Sequence, residues 1–303
     1  MKTSIAVLGA GAVGCYYGGV LARAGYRVTL VGRPLHVEPM LREGLLLETP
    51  TFRGHVPVRA AVDASAIAGA RLVLCCVKSP DTESAARQMA SYLGSDTVVL
   101  SMQNGVDNAR RLQALLRCPV ATAAVYVASQ MAGPGQVRLH GRGDLVIGSE
   151  PAGDWIAAIF RDAGIAVEIT GNVDGALWAK LVINCAYNAL SAITQLPYGR
   201  LVAGYGIEEA MRSVVTECLA VARADGVTVT GISWDVVRGI ADAMAMQVSS
   251  TAQDVARGRR SEIDHLNGYV VDRGRALGIA VPANQMLHAI VRQLESRAPT
   301  GAT

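Results

Sequence analysis

The chain has 303 residues, of which 51% are hydrophobic and 17% charged, with a formal net charge of +3. That length allows two domains with substantial cores, and that balance excludes a disordered chain. The positive excess excludes an extended nucleic-acid surface, because its longest basic stretch is Arg257-Gly-Arg-Arg260; it suits a small anionic ligand.

In chain order, the apolar run Ser4–Leu8 predicts a strand, and Ala12–Ala24 a helix. Between and across them lies the frame Gly9-Ala10-Gly11-Ala12-Val13-Gly14. Strand, glycine turn and helix at this spacing predict a dinucleotide site. Gly9 allows the sharp turn, Gly11 lets backbone amides approach a pyrophosphate, and Gly14 lets helix and strand pack closely. The unpaired N–H groups and dipole of the helix N-terminus favour the anion.

A second strand, Arg27–Val31, ends at Gly32-Arg33. NAD sites place an acid near this point, about 20 residues past the fingerprint, to hold the ribose 2′-hydroxyl; NADP sites place Arg there. The first acid is Glu38, so Arg33 predicts NADP through guanidinium–phosphate pairing. The plainer reading of Arg33 is a solvated loop cation.

Leu72–Val77 and Thr97–Ser101 read as strands covered on both faces, with a helix over Asp81–Tyr92 between them. Val120–Val127 is a further strand. After Gly133-Pro-Gly135, the pieces Gln136–His140 and Asp144–Ile147 predict a hairpin. Trp155–Ala163 predicts a helix and Ala166–Ile169 an edge strand. The character changes near Thr170-Gly-Asn172. Helical periods then dominate, at 174–194, 205–225, 233–256, 259–277 and 283–296, with a frayed tail from Ala298. The expected fold is therefore α/β, with an N-terminal Rossmann-type domain (residues 1–171) and a C-terminal all-helical domain (172–303).

The six cysteines are scattered without a C-x-x-C, which predicts a reduced, cytoplasmic protein. Lys2 followed by an uncharged stretch resembles a secretory signal in outline, but five glycines interrupt it. The uncharged stretches 118–137 and 181–199 contain Pro, Gly, Asn or Gln and do not read as membrane spans. No targeting, membrane or nucleic-acid role is expected. A homodimer through the long helices is.

Ligands of such sheets sit at the carboxyl ends of the strands, which directs attention to Lys78 and to Asn104-Gly105. Their bland alternatives are a solvated lysine and an ordinary Asn-Gly turn. In the helical half, Lys180, Asn184 and Asn188 fall at i, i+4 and i+8 among apolar neighbours, a polar stripe on one helix face. Alone, such a lysine would snorkel to water; desolvated, it loses proton affinity and suits proton transfer near neutral pH. A second stripe contains Ser250 with Asp254, and Glu262 with His265. Local capping for Ser261-Glu262 and a structural role for His265 are its plainer readings. No cluster has metal-ligand spacing.

Together these motifs resemble the ketopantoate reductase (2-dehydropantoate 2-reductase) family over nearly the full chain. The carrying pieces are G-A-G-A-V-G at 9–14, Q-N-G at 103–105, L-W-A-K-L-V-I-N-C at 177–185, S-S-T-A-Q-D at 249–254, S-E-I-D-H-L-N-G at 261–268 and G-I-A-V-P-A-N at 278–284. The resemblance implies an NADPH-dependent reductase of a small 2-oxo acid, with Lys180 as proton donor to the ketone oxygen. It implies Glu262 as the acid that orients or tunes that lysine and also borders the cofactor. It implies Asn104, Asn184, Asn188 and Ser250 around the substrate, with Asn104 touching the cofactor as well. Lys78 and Arg33 become cofactor-side cations. One position departs from the family's pattern: Tyr198 follows Pro197 where an Asn is often found, which bears on pocket shape and on the acid accepted. A reductase of another branched 2-oxo acid would share every motif. A non-catalytic NADP-binding regulator would not need the lysine set.

Overall fold

A computed structural model describes residues 2–297, and the tail expected to fray from Ala298 lies outside them. The chain divides into two compact units, residues 1–173 and 174–303.

The first unit runs β1 (Ser4–Leu8), α1 (Ala12–Arg23), β2 (Arg27–Val31), α2 (Pro34–Glu43), β3 (Leu45–Thr49), β4 (Phe52–Val56), β5 (Arg59–Ala61) and β6 (Leu72–Cys75). It continues with α3 (Thr82–Met89), β7 (Val98–Ser101), α4 (Asn108–Gln113), β8 (Val120–Gly133), β9 (Gln136–Gly148), α5 (Gly153–Asp162) and β10 (Val167–Thr170). The strand order is β4-β3-β9-β8-β7-β6-β1-β2-β5, with β10 also on β9. From β5 to the start of β8 every pairing is parallel. Short apolar strands such as Leu72–Cys75, fully buried, belong in a sheet covered on both faces. The chain moves outward from β1 to β2 and then crosses to β6 on the other side, so β1 and β6 flank a topological switch point.

Two expectations about this unit need correction. The pieces 136–140 and 144–147 form one strand, β9, whose hairpin partner is β8, itself extended to Gly133. Gly141-Arg142-Gly143 is an irregularity within β9, with Arg142 at φ 53° and Gly143 at φ 151°. Only glycine fits at position 143, where a Cβ would collide with the Tyr16 hydroxyl. The helix expected over 81–92 shortens to α3, with 3-10 turns at Ser79–Asp81 and Ala90–Tyr92.

The second unit is helical throughout its described residues: α6 (Val173–Thr194, starting one residue before the boundary), α7 (Tyr198–Val202), α8 (Ile207–Ala224), α9 (Trp234–Ala243), α10 (Ser250–Ala256), α11 (Asn267–Leu277) and α12 (Pro282–Ser296). The Rossmann-type α/β region followed by a helical region is thus as expected. Two long helices are not. The period over 233–256 breaks between α9 and α10, where the carbonyls of Ala245 and Gln247 accept from Gly199 and Tyr198 N–H. Ser249 then caps α10 by accepting from Ala252 N–H (3.0 Å). The period over 259–277 yields only α11, preceded by a 3-10 turn at Ile263–His265. α6, which overlaps the stretch 181–199 expected not to span a membrane, is long and apolar enough to do so, and 72% of its apolar window is buried inside the fold.

Candidate functional site

In the first unit, register decides what meets. Leu8 pairs with both Val31 and Cys75, and Cys75 with Ser101, so the carboxyl ends of β2, β1, β6 and β7 form one edge. Three strand spacings of about 4.8 Å separate the outer two, a span suited to an extended dinucleotide. Arg33, Gly9–Gly14, Lys78 and Asn104 follow those strands directly and so share the edge.

The glycine turn is held by two backbone bonds, Gly9 and Ala10 N–H both donating to Val31 O at 2.9 Å. Gly9 has φ 108°, and a Cβ there would sit 2.6 Å from the backbone of Cys76 and Val77. Gly14 faces the Gly9 carbonyl and Val7 with no room for a Cβ. These two glycines are therefore demanded by packing. Gly11 is not. It caps α1 at φ −90°, and a Cβ would meet nothing within 4 Å. Open space over a helix N-terminus with no acid in its first turn fits a pyrophosphate brought close to the backbone. Arg33, the N-cap residue of α2, is exposed and makes no side-chain hydrogen bond or ion pair among the described residues.

Asn104 is fixed by a network that sequence reading missed. Its carbonyl accepts from Ser79 Oγ (2.7 Å) and Asn108 Nδ2 (2.5 Å). Asn108 Oδ1 accepts from Thr82 Oγ1 (2.9 Å) and Arg111 Nη1 (3.0 Å), and Thr82 accepts from Gln103 Nε2 (2.7 Å). Arg111 is clamped by both oxygens of Glu83 at 2.7 Å. Gly105, at φ 95°, supplies the turn. The signal available in sequence was a surplus of Ser, Thr, Asn and Gln after two consecutive buried strands.

In the second unit, two segments converge on α6. The Trp178 and Tyr269 rings meet edge to face at 6.0 Å, Asn267 Nδ2 donates to Cys185 O (3.2 Å), and Ser249 Oγ donates to Asn188 O (3.2 Å). The segments carrying Glu262 and Ser250 are thereby drawn to the stretch carrying Lys180, Asn184 and Asn188. Along that stretch Leu181, Val182, Cys185, Ala186 and Tyr187 are buried, whereas Lys180 and Asn184 are only half-buried. Asn188 is nearly enclosed and Ser250 is exposed. Tyr198 is 8% exposed, its ring 4.5 Å from that of Tyr187, and burial pushes its phenol well above the ordinary range.

Most of the motif S-E-I-D-H-L-N-G holds the fold. Ser261 Oγ accepts from Ile263 N–H, and Asn267 Nδ2 also donates to Asn284 Oδ1 (2.9 Å). A Cβ on Gly268 would lie 2.9 Å from His288 Nε2. Asp264 meets His288 (2.7 Å) and Arg260 (2.8 Å), with Arg292 at 3.4 Å. Burial raises the Asp264 carboxyl, but these partners outweigh it and hold it below the usual carboxylate range. Glu262 starts the 3-10 turn rather than lying inside a helix as expected. Its carbonyl accepts from His265 N–H, and its side chain caps nothing.

Residues 5–152 match the family described as ketopantoate reductase PanE/ApbA, and residues 172–295 match its C-terminal part. The chain belongs to the ketopantoate reductase family. It is similar to the 2-dehydropantoate 2-reductase of Halobacterium salinarum, 36% identical over 299 residues covering 95% of this chain and 97% of the relative. It is similar to a crystal structure of a PanE/ApbA family ketopantoate reductase from Ralstonia eutropha JMP134, at TM-score 0.95 and 60% identity, covering 98% and 99% of the two chains. A ternary structure of D-mandelate dehydrogenase with NADH and anilino(oxo)acetate shares the fold, at TM-score 0.89 but 21% identity, over 97% and 99% of the two chains. Membership makes this protein an oxidoreductase of a nicotinamide-dinucleotide-dependent family.

Proposed function

We propose that the protein reduces the C2 ketone of 2-dehydropantoate to the hydroxyl of pantoate, using NADPH. The observation that carries this reading is the half-buried Lys180–Asn184 face on a helix whose other sides are sealed in apolar packing. A cation kept there costs solvation, and oxyanion chemistry gives it a use.

Gly9 to Gly14 would hold the pyrophosphate, Arg33 the 2′-phosphate, and Lys78 and Asn104 the rest of the cofactor, which supplies hydride when bound. Lys180 Nζ stabilises the charge that develops on the ketone oxygen and gives it a proton, so that the former carbonyl pair becomes an O–H bond. Glu262 orients the ammonium and borders the cofactor. Asn104, Asn184, Asn188 and Ser250 hold the carboxylate and hydroxyl groups of the substrate. A dimer of a protein working in the cytoplasm completes the proposal.

A second reading, a reductase of another 2-oxo acid, rests on Tyr198, whose ring packs on Tyr187 at a position where the family resemblance implies Asn. Turnover of 2-dehydropantoate against a panel of branched and aromatic 2-oxo acids separates the two; equal kcat/KM for the panel rejects the specific assignment. Lys180→Ala should lower kcat by about 10²- to 10⁴-fold while NADPH affinity is kept. Normal turnover by that variant removes the proposed proton donor.

A further inference from the structure

The loop after β7 is held in one peptide orientation by a chain of contacts that begins far from it in sequence. Glu83 clamps Arg111 through two bonds of 2.7 Å. Arg111 can only donate, so the atom of Asn108 that faces it at 3.0 Å must be the carbonyl Oδ1. That choice turns Asn108 Nδ2 toward the Asn104 carbonyl and the Ser79 hydroxyl. Asn108 is 3% exposed and Ser79 fully enclosed, so water cannot substitute for these bonds. Both act on the peptide between Asn104 and Gly105, and Gly105 at φ 95° offers no steric resistance to the opposite peptide orientation. The side-chain network, rather than the backbone, selects the orientation.

We propose that Asn108, itself oriented by Arg111, is a positioning residue for the reaction: it fixes the Asn104–Gly105 peptide and so aims the Asn104 side chain at the reactants. This rests on the role given above to Asn104.

The test is a double-mutant cycle on the full chain. Asn108→Asp is nearly isosteric and keeps an acceptor for Thr82 and Arg111, but it sets a carboxylate oxygen against the Asn104 carbonyl. The expected result is a fall in kcat/KM for 2-dehydropantoate of about 10- to 100-fold, the scale of a small misplacement at a reacting centre. In an Asn104→Ala background the same change should cost less than about twofold, because the residue being aimed is gone. An equal fall in both backgrounds, or none in the native one, overturns the proposal, since a merely structural defect would not depend on Asn104. Wild-type kcat/KM in Asn104→Ala alone rejects the role of Asn104 itself, and the proposal with it. If Asn108→Asp does not fold, Ser79→Ala removes the other donor to the same carbonyl, and the cycle is run with it; the expected fall is then about three- to tenfold, with the same dependence on Asn104.

Discussion

At the scale of single residues, the glycine turn separates two demands that a fingerprint merges. Gly9 and Gly14 are small because backbone crosses them; Gly11 is small although nothing in the protein crosses it. Gly11→Ala should therefore fold with stability within about 0.5 kcal/mol of the parent, while Gly14→Ala loses about 2 kcal/mol or more to overpacking. The same Gly11→Ala should weaken NADPH at least tenfold. An unchanged dissociation constant would mean that no phosphate approaches that backbone. Arg33 carries a related expectation. Arg33→Ala should weaken NADPH by about 1.5–3 kcal/mol, the worth of a charge-assisted phosphate contact, and NADH hardly at all. Titrations with the two cofactors check this, and equal losses would return Arg33 to the status of a solvated cation.

At the scale of elements, what was legible in sequence was what depends on near neighbours. β1, β2, β6 and β7 are continuous apolar runs, and the polar face of α6 follows from a spacing of four. What was not legible depends on distant partners. Gly141-Arg142-Gly143 looks like a turn until Tyr16 is seen filling the space, and the α9–α10 break follows from carbonyls taken by residues near position 198. The segment 34–61 escaped reading because its strands are short and polar in part. Glu48 lies in β3 at 6% exposure only because Arg53 and Arg138 reach it. The Asn108 network was hidden for the same reason, since Ser79, Thr82 and Glu83 lie 21 to 32 residues before their partners at 103–111.

The Asp264 cluster, which joins the turn after Glu262 to α12, gives an element-scale prediction. Its carboxyl is about a third exposed, so the ion pairs are partly screened, and Asp264→Asn should cost only about 1–2 kcal/mol at pH 7. Because the folded-state value is depressed, that contribution is complete above the ordinary carboxylate value near 3.8 and is lost as pH falls below it. Urea unfolding should thus show a gap between parent and variant that is present at pH 5 and closes below about pH 4. A gap that widens in acid would contradict the assigned sign.

For the whole molecule, the cysteines provide internal reporters in both units. Cys15 and Cys75 in the first unit, and Cys185 and Cys218 in the second, have no exposed surface. Burial pushes Cys15 and Cys75 up to about 12, and Cys185, which also hydrogen-bonds Cys218, well above its usual value. At pH 8 a thiol at 12 is about one part in 10⁴ thiolate, so labelling requires opening of the fold rather than reaction in place. Cys15 follows Gly14 directly, and Cys75 ends β6 beside the turn, so both become reactive only when the proposed cofactor site comes apart. A ligand that binds only the native form raises its stability by about 2.7 kcal/mol at 100 times its dissociation constant. NADPH at that level should therefore slow labelling of Cys15 and Cys75 by about 100-fold, read by mass spectrometry of the modified peptides, provided reclosing outpaces the reagent. Labelling of this pair at an unchanged rate would place the cofactor somewhere other than on the first unit's glycine turn.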